Sequence, residues 1–105
     1  MTIHDLKEDW YVFEIISVEE PDDKIKIKMI YKNNFNNNLI IIQTFNEKMA
    51  EMWYIFYYEV MGLKNDEEIE PNKLIGKKLE LHICLYDLKF NGTIINYIAG
   101  YRSIK

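Results

Sequence analysis

Alternating apolar and polar residues predict β-strands along most of the chain. The clearest case is residues 24–29, where Ile25, Ile27 and Met29 alternate with three lysines. Because successive side chains of a strand point to opposite faces, the apolar residues lie on one face and the lysines on the other. Residues 10–18 are aromatic and β-branched on both faces, which predicts a strand that is sharply bent or covered on both sides.

Three further strands are predicted downstream. Residues 39–43 form a third strand that continues a meander, and residues 79–86 alternate as a fourth strand. Asn91-Gly92 is the strongest short hairpin signal that a sequence offers, and residues 93–101 supply the returning fifth strand.

A single helix is predicted between the third and fourth strands, over residues 46–61. Thr44 and Glu47 fit a capping box at its start, and Gly62 fits a glycine stop at its end. Residues 64–73 follow as a polar connector. The apolar residues of the helix recur at three- and four-residue spacing and form one stripe, which consists of Met49, Met52, Trp53, Phe56 and Val60.

The element order is therefore three strands, one helix and two strands. This order, in a mainly β chain, is that of a five-stranded OB-type Greek-key barrel with its helix between the third and fourth strands. A length of 105 residues is ordinary for one domain. We predict that residues 1–105 form a single OB-like domain.

Composition narrows the class of function. The net charge of −4 counts against a dedicated duplex-DNA binder, which usually carries a positive excess. The single Cys84 excludes an internal disulfide, and no Cys/His or acidic spacing suggests a metal site, so we expect no cofactor. No apolar run approaches the ~20 residues that span a bilayer, and the first residues lack a signal-peptide pattern. We therefore expect a cytoplasmic protein.

The lysines of the second strand are the first candidate site, because OB domains usually bind ligands across their second and third strands. Grooves for single-stranded nucleic acid combine cations with aromatic faces on which bases stack. Tyr31 and Phe35 are the candidate stacking surfaces. A solvated strand face, with lysines that protect it from aggregation, is the alternative interpretation. The candidate phosphate contacts are Lys24, Lys26, Lys28 and Lys32.

The helix offers a second candidate surface. Tyr54 and Tyr58 stand four residues apart and share a face, which would form a patch for a protein partner. Two acidic segments, residues 19–23 and 66–70, are alternative contacts for a basic partner that normally binds nucleic acid. Packing of the tyrosines and solvation of the acidic segments are the simpler interpretations.

The sequence offers few residues that could form a catalytic site. His82 and Cys84 lie two residues apart on the fourth strand and share a face, but no third group completes a nucleophilic site. The chain has four glycines, and they form no phosphate-binding loop. We therefore expect a protein that is not an enzyme.

Several short runs between residues 45 and 101 carry a resemblance. They are Met52-Trp53-Tyr54-Ile55-Phe56, Val60-Met61-Gly62-Leu63, Leu74-Ile75-Gly76-Lys77-Lys78, Phe90-Asn91-Gly92-Thr93 and Asn96-Tyr97-Ile98. In this succession the chain resembles a family of small phage proteins associated with recombination genes. The resemblance implies an OB-like fold, binding of single-stranded DNA and a phage or prophage origin, hence the host cytoplasm.

Two functions remain open from the sequence. The first is non-catalytic binding of single-stranded nucleic acid through the lysines of the second strand. The alternative is a protein-binding module, for instance a phage-encoded inhibitor of a host defence nuclease, with Tyr54 and Tyr58 at its binding face. A homo-oligomer is compatible with either function, because an exposed sheet edge can pair with a second copy.

Overall fold

The computed structural model describes residues 7–32, 39–63, 67–88 and 93–104, with the backbone alone for residues 86–88 and 93–96. Five strands and one helix lie in the predicted order. They are β1 (Asp9–Glu19), β2 (Ile25–Tyr31), β3 (Leu39–Phe45), α1 (Ala50–Met61), β4 (Lys78–Leu88) and β5 (Thr93–Ser103). Two 3-10 turns, Glu47–Met49 and Pro71–Leu74, flank the helix.

The strands form one antiparallel sheet in the order β3-β2-β1-β4-β5. The first half of β1, residues 9–14, pairs with β4, and its second half, residues 14–19, pairs with β2. A register shift between Ile15 and Ser17 marks the change of partner. Such a bulge bends a strand and increases its twist, and the sheet curls strongly into a half-barrel. The sequence prediction of a bent first strand is confirmed.

The core fills the concave side of the sheet beneath the helix. Alternate residues of β1, β2 and β4 point inward, as their period of two predicts. They meet one face of α1, where Phe45 on β3 contacts the Trp53 and Phe56 rings at centroid distances of 5.6 and 5.4 Å. The inward residues of the three strands are Phe13, Ile15, Ile27, Met29, Leu79, Leu81 and Ile83. The prediction of a mainly β fold with one helix is confirmed, and this cluster joins the helix to the sheet.

The helix ends as predicted, but it begins differently. Gly62 has φ of +68° and donates its backbone N–H to the Tyr58 carbonyl oxygen at 2.9 Å, which confirms the glycine stop. The predicted capping box is wrong, because Thr44 lies within β3 opposite Lys26. The strand continues to Phe45 since that side chain is buried in the core, and no side-chain cap bonds the first turn at Asn46.

The apolar stripe of the helix is also rotated relative to the prediction. Trp53, Phe56 and Val60 are buried as expected, but Met52 is 54% exposed and Tyr57 is fully buried. The Tyr57 hydroxyl accepts a hydrogen bond from the Glu70 backbone N–H at 3.1 Å. This bond satisfies the polar end of a tyrosine that the core otherwise encloses.

The segment after the helix is more than a polar connector. Leu74, in the turn Pro71–Leu74, is fully buried, and Ile69 packs partly against the core. Beyond it, Gly76 donates its N–H to the Ile15 carbonyl oxygen at 2.8 Å, and the Ile15 N–H bonds the Lys77 carbonyl oxygen at 2.9 Å. These bonds satisfy the backbone of β1 at the bulge, where the strand changes partner.

The meander and the final hairpin are confirmed as strand pairings. β1, β2 and β3 pair in succession, and β4 pairs with β5 from Leu79–Ser103 to Leu88–Thr93. The predicted Asn91-Gly92 turn lies outside the described residues. β3 and β5 are the two edges of the sheet, so within the described ranges the half-barrel stays open between them.

Candidate binding groove

Lys26 and Lys28 lie on the convex face of β2, as the sequence predicts, whereas Lys24 directly precedes the strand and Lys32 directly follows it. Lys24 and Lys26 are exposed, Lys28 is half-buried, and Lys32 is exposed just beyond the strand. The neighbouring strands dilute their charge, because Glu19 of β1 stands opposite Lys26. The positive charge of these lysines is therefore partly offset by the Glu19 carboxylate.

The structure does not bring Tyr31 together with the lysines. Its ring contacts the Tyr11 and Phe13 rings at centroid distances of 5.2 and 5.7 Å, on the concave side. The convex side chains of β2 and β3 carry no aromatic ring: they are lysine, isoleucine and threonine. Phe35, the other proposed stacking residue, lies outside the described residues.

Tyr54 and Tyr58, by contrast, line a groove beside the helix with a volume of about 750 Å³. Its floor is apolar and includes Trp53, which is only 6% exposed, together with Ile25 at the start of β2. Tyr54 stands at the rim with 48% of its surface exposed. We call this feature the acidic groove, because its remaining polar lining consists of Glu20, Glu51 and Glu67.

The far wall of the acidic groove is held in place by two tyrosine hydroxyls. Tyr58 donates a hydrogen bond to the Glu67 carbonyl oxygen at 2.5 Å, and Tyr57 accepts one from the Glu70 N–H. Glu70 also forms an ion pair with Lys73, one turn further on. The connector is thus fixed against the helix at two points, and the groove has a defined shape.

The charge of the acidic groove comes from three separate segments. Glu20 follows β1, Glu51 lies in the first turn of α1, and Glu67 belongs to the connector. No lysine or arginine is among the described residues that line it. Carboxylates attract cations by their charge. Aromatic faces attract cations by cation–π contact. The groove is therefore suited to a positively charged and partly apolar ligand.

The sequence predicts the parts of this groove separately. Tyr54 and Tyr58 form one hypothesis and the two acidic segments another, and the apolar stripe of the helix predicts that Trp53 belongs to the core. The residues that meet here are up to 51 positions apart, from Glu20 to Pro71. Their contact depends on how the helix packs on the sheet, which no local pattern reveals.

His82 and Cys84 are neighbours on β4, as predicted, with the Cys84 sulfur 3.5 Å from His82 Nε2. Burial is the main cause that raises the pKa of the Cys84 thiol, and the nearby Glu8 carboxylate adds to the rise. The thiol therefore stays protonated at neutral pH, and a protonated thiol is a poor nucleophile. On its other side the His82 ring stacks with Trp10 at 5.0 Å.

Trp10 belongs to a packed cluster on the convex face rather than to an open site. The Arg102 guanidinium lies over its ring at 3.9 Å and donates two hydrogen bonds to the Glu80 carboxylate, at 3.2 and 3.3 Å. A side chain covered by both His82 and Arg102 has little free face for a ligand.

Within the described ranges, no three His, Cys, Asp or Glu side chains are grouped to hold a metal ion. Of the helices in this part of the chain, none has the length and apolar character needed to cross a membrane.

No protein-family model and no curated protein matches the sequence. The resemblance to phage recombination-associated proteins therefore stays a prediction.

Proposed function

We propose that this chain is a non-catalytic protein-binding module, and that its acidic groove binds a basic segment of a partner. The observation that carries the proposal is the groove itself, in which three carboxylates surround an aromatic floor without a cation among the described lining residues. A volume of about 750 Å³ is within the usual range for ligand pockets.

The expected energetics favour an arginine or lysine beside an apolar residue. A cation against an aromatic face contributes about 0.5–2 kcal/mol, depending on how far it is desolvated. An exposed ion pair adds about 0.2–1 kcal/mol. Apolar neighbours in the segment would cover the Trp53 floor and add the free energy of apolar burial.

We further propose that the half-barrel is an OB-type barrel that is open between β3 and β5. The meander of three strands, the helix after β3 and the hairpin that returns beside β1 support this assignment, because OB barrels are partly open and have this element order. A phage-encoded inhibitor of a host defence nuclease would fit both proposals, since acidic residues can occupy the basic site that a nuclease offers to nucleic acid.

The groove is tested with a labelled peptide of alternating arginine and leucine, measured by fluorescence anisotropy. We expect saturable binding that weakens with salt, and no binding of a glutamate–leucine peptide. Glu51→Gln should weaken binding roughly three- to fivefold, from a loss of about 0.6–1 kcal/mol. Glu47→Gln removes the same charge just before the helix, outside the groove, and should have no effect. Equal effects of the two variants would contradict the proposal.

Binding of single-stranded nucleic acid is a second candidate, supported by Lys26 and Lys28 on the convex face of β2 and by Lys24 just before the strand. Labelled single-stranded and duplex oligonucleotides at two salt concentrations test it. Saturable single-strand binding should fall with salt in proportion to the lysines engaged, and it should be lost when the three lysines are replaced with glutamate. Binding that ignores either change would exclude this face.

A further inference from the structure

β3 is an open edge of the sheet with unusual surface chemistry. It pairs with β2 on one side, and within the described residues no strand pairs with its other side. The backbone N–H and C=O groups along such an edge form a template for another strand. On the convex face its side chains Ile40 and Ile42 are 51% and 56% exposed.

The usual protections of an edge strand are missing from β3. Its seven residues include no charged residue and no proline, and its register with β2 runs without a shift from Ile25–Phe45 to Tyr31–Leu39. The other edge, β5, differs, because it carries Arg102 and its register with β4 shifts near His82. Charges and bulges are the devices that keep edges from pairing. β3 is thus the edge built to accept a partner strand.

We propose that the occupant of this edge is β3 of a second copy, paired antiparallel about a two-fold axis. An antiparallel strand can pair with itself, and full overlap of Leu39–Phe45 centres the axis on Ile42. Ile42 then stands opposite its own copy, and Ile40 stands opposite Thr44. The two half-barrels share one continuous sheet, in which the exposed isoleucines cover each other.

Two copies repel each other less at the β3 edge than elsewhere on their surfaces. The chain carries a net charge of −4, so two copies repel each other in general, but β3 itself is neutral. The nearest like charges across the new pairing are the lysines of β2, such as Lys28 beside Ile42. Three strand spacings separate the two Lys28 positions, about 14 Å, which exceeds the screening length of about 8 Å at physiological salt.

The proposal is tested by measuring the oligomeric state with sedimentation velocity over a wide range of protein concentration. The wild-type chain should sediment as a dimer, and Ile42→Lys should shift it to a folded monomer, because a lysine at the centre faces its own copy. Ile75→Lys is the matched control, since Ile75 is 49% exposed but lies outside the sheet, and it should stay dimeric. A monomeric wild type, or a dimer that tolerates Ile42→Lys, would overturn the proposal.

The register has its own test by disulfide cross-linking in a Cys84→Ala background. Directly opposed residues of antiparallel strands have Cα atoms about 4.5–5.5 Å apart, within the range of a disulfide. Ile42→Cys should therefore cross-link to itself on oxidation. Ile40→Cys should not, because two copies of residue 40 would be about 13 Å apart along the paired strands. Cross-linking through residue 40 but not 42 would contradict the centred pairing, whatever the acidic groove binds.

Discussion

The Tyr58 hydroxyl donates a hydrogen bond to the Glu67 carbonyl oxygen at 2.5 Å. This bond crosses from the helix to the connector, and it holds the segment through which Glu67 lines the acidic groove. A tyrosine that looks like part of a surface patch in the sequence thus serves mainly to shape the groove.

Tyr58→Phe should therefore loosen the connector. Loss of one hydrogen bond costs about 0.5–1.5 kcal/mol, and the partial exposure of Tyr58 places the expected loss of unfolding free energy at the lower end. Hydrogen exchange at residues 67–70 should accelerate, because the segment opens more often. Tyr54→Phe is the control, since Tyr54 stands at the rim, and it should leave exchange there unchanged. Unchanged exchange in Tyr58→Phe would contradict this role.

Gly62→Ala should destabilise the protein through backbone strain alone. Gly62 has φ of +68°, and an added Cβ would meet nothing within 4 Å. An L-residue in this left-handed conformation costs roughly 1–2 kcal/mol, which lowers Tm by about 4–8 °C per kcal/mol in a domain near this size.

Gly100→Ala provides the comparison for thermal unfolding. A Cβ at Gly100 would lie 3.8 Å from the Trp10 ring and 3.9 Å from the His82 Cβ, both ordinary contact distances. Its Tm should stay within experimental error of the wild type or rise. If Gly100→Ala were the more damaging of the two, the account of the helix end would be wrong.

Deprotonation of Tyr101 should lower the free energy of unfolding at alkaline pH. Its burial, with a further contribution from Glu59, raises its pKa above the ordinary value of about 10. Above pH 10 the unfolded chain loses this proton while the folded chain keeps it, so the free energy of unfolding falls as pH rises.

Urea unfolding between pH 8 and pH 11 measures this effect. Tyr101→Phe keeps the ring beside Phe56, which it meets edge-on at 5.2 Å, and should make the decline with pH shallower. Some decline should persist, because burial also raises the pKa of Tyr11. Identical slopes for wild type and Tyr101→Phe would show that Tyr101 does not contribute.

Cys84 should react slowly with iodoacetamide in the folded protein. The side chain is only 7% exposed, and its raised pKa keeps the thiolate scarce at neutral pH. Addition of urea to unfold the chain should accelerate the reaction strongly. A folded-state rate as fast as the unfolded one would indicate an activated thiol and would revive catalysis by Cys84 and His82.

The strands were predictable because their signal is local. Alternation in residues 24–29 and 79–83 directly encodes which side chains face the core, and β2 and the first part of β4 follow it. Further along β4 the pattern fails, because Leu85 is 46% exposed and Cys84 is buried. The helix face was harder to assign, because α1 is apolar on nearly every side, including the exposed Met52 and Ile55. Periodicity does not distinguish Met52 from Tyr57 as the buried residue. The burial of Tyr57 is compatible with its polar hydroxyl because that hydroxyl accepts a hydrogen bond from the Glu70 N–H, a contact that is not local in sequence.

The groove could not be predicted, because it depends on contacts between distant segments. Glu20 and Glu67 meet the helix only after β1 bends at its bulge and the connector folds back. The inward side of Tyr31 was accessible in principle, since it shares the parity of Ile27 and Met29. Its packing on Tyr11 and Phe13 removes it from the lysine face.

Trp53 reports directly on the central claim, that the acidic groove binds a basic segment. The chain has two tryptophans, so Trp10→Phe leaves Trp53, at the floor of the groove, as the only indole fluorophore. Titration of this variant with the arginine–leucine peptide should shift Trp53 emission saturably. Added Glu51→Gln and Glu67→Gln substitutions should raise the peptide concentration needed for half the shift by about eight- to thirtyfold, from two losses of about 0.6–1 kcal/mol each. A peptide that binds without changing Trp53 emission, or an equal response to the glutamate–leucine peptide, would contradict the account.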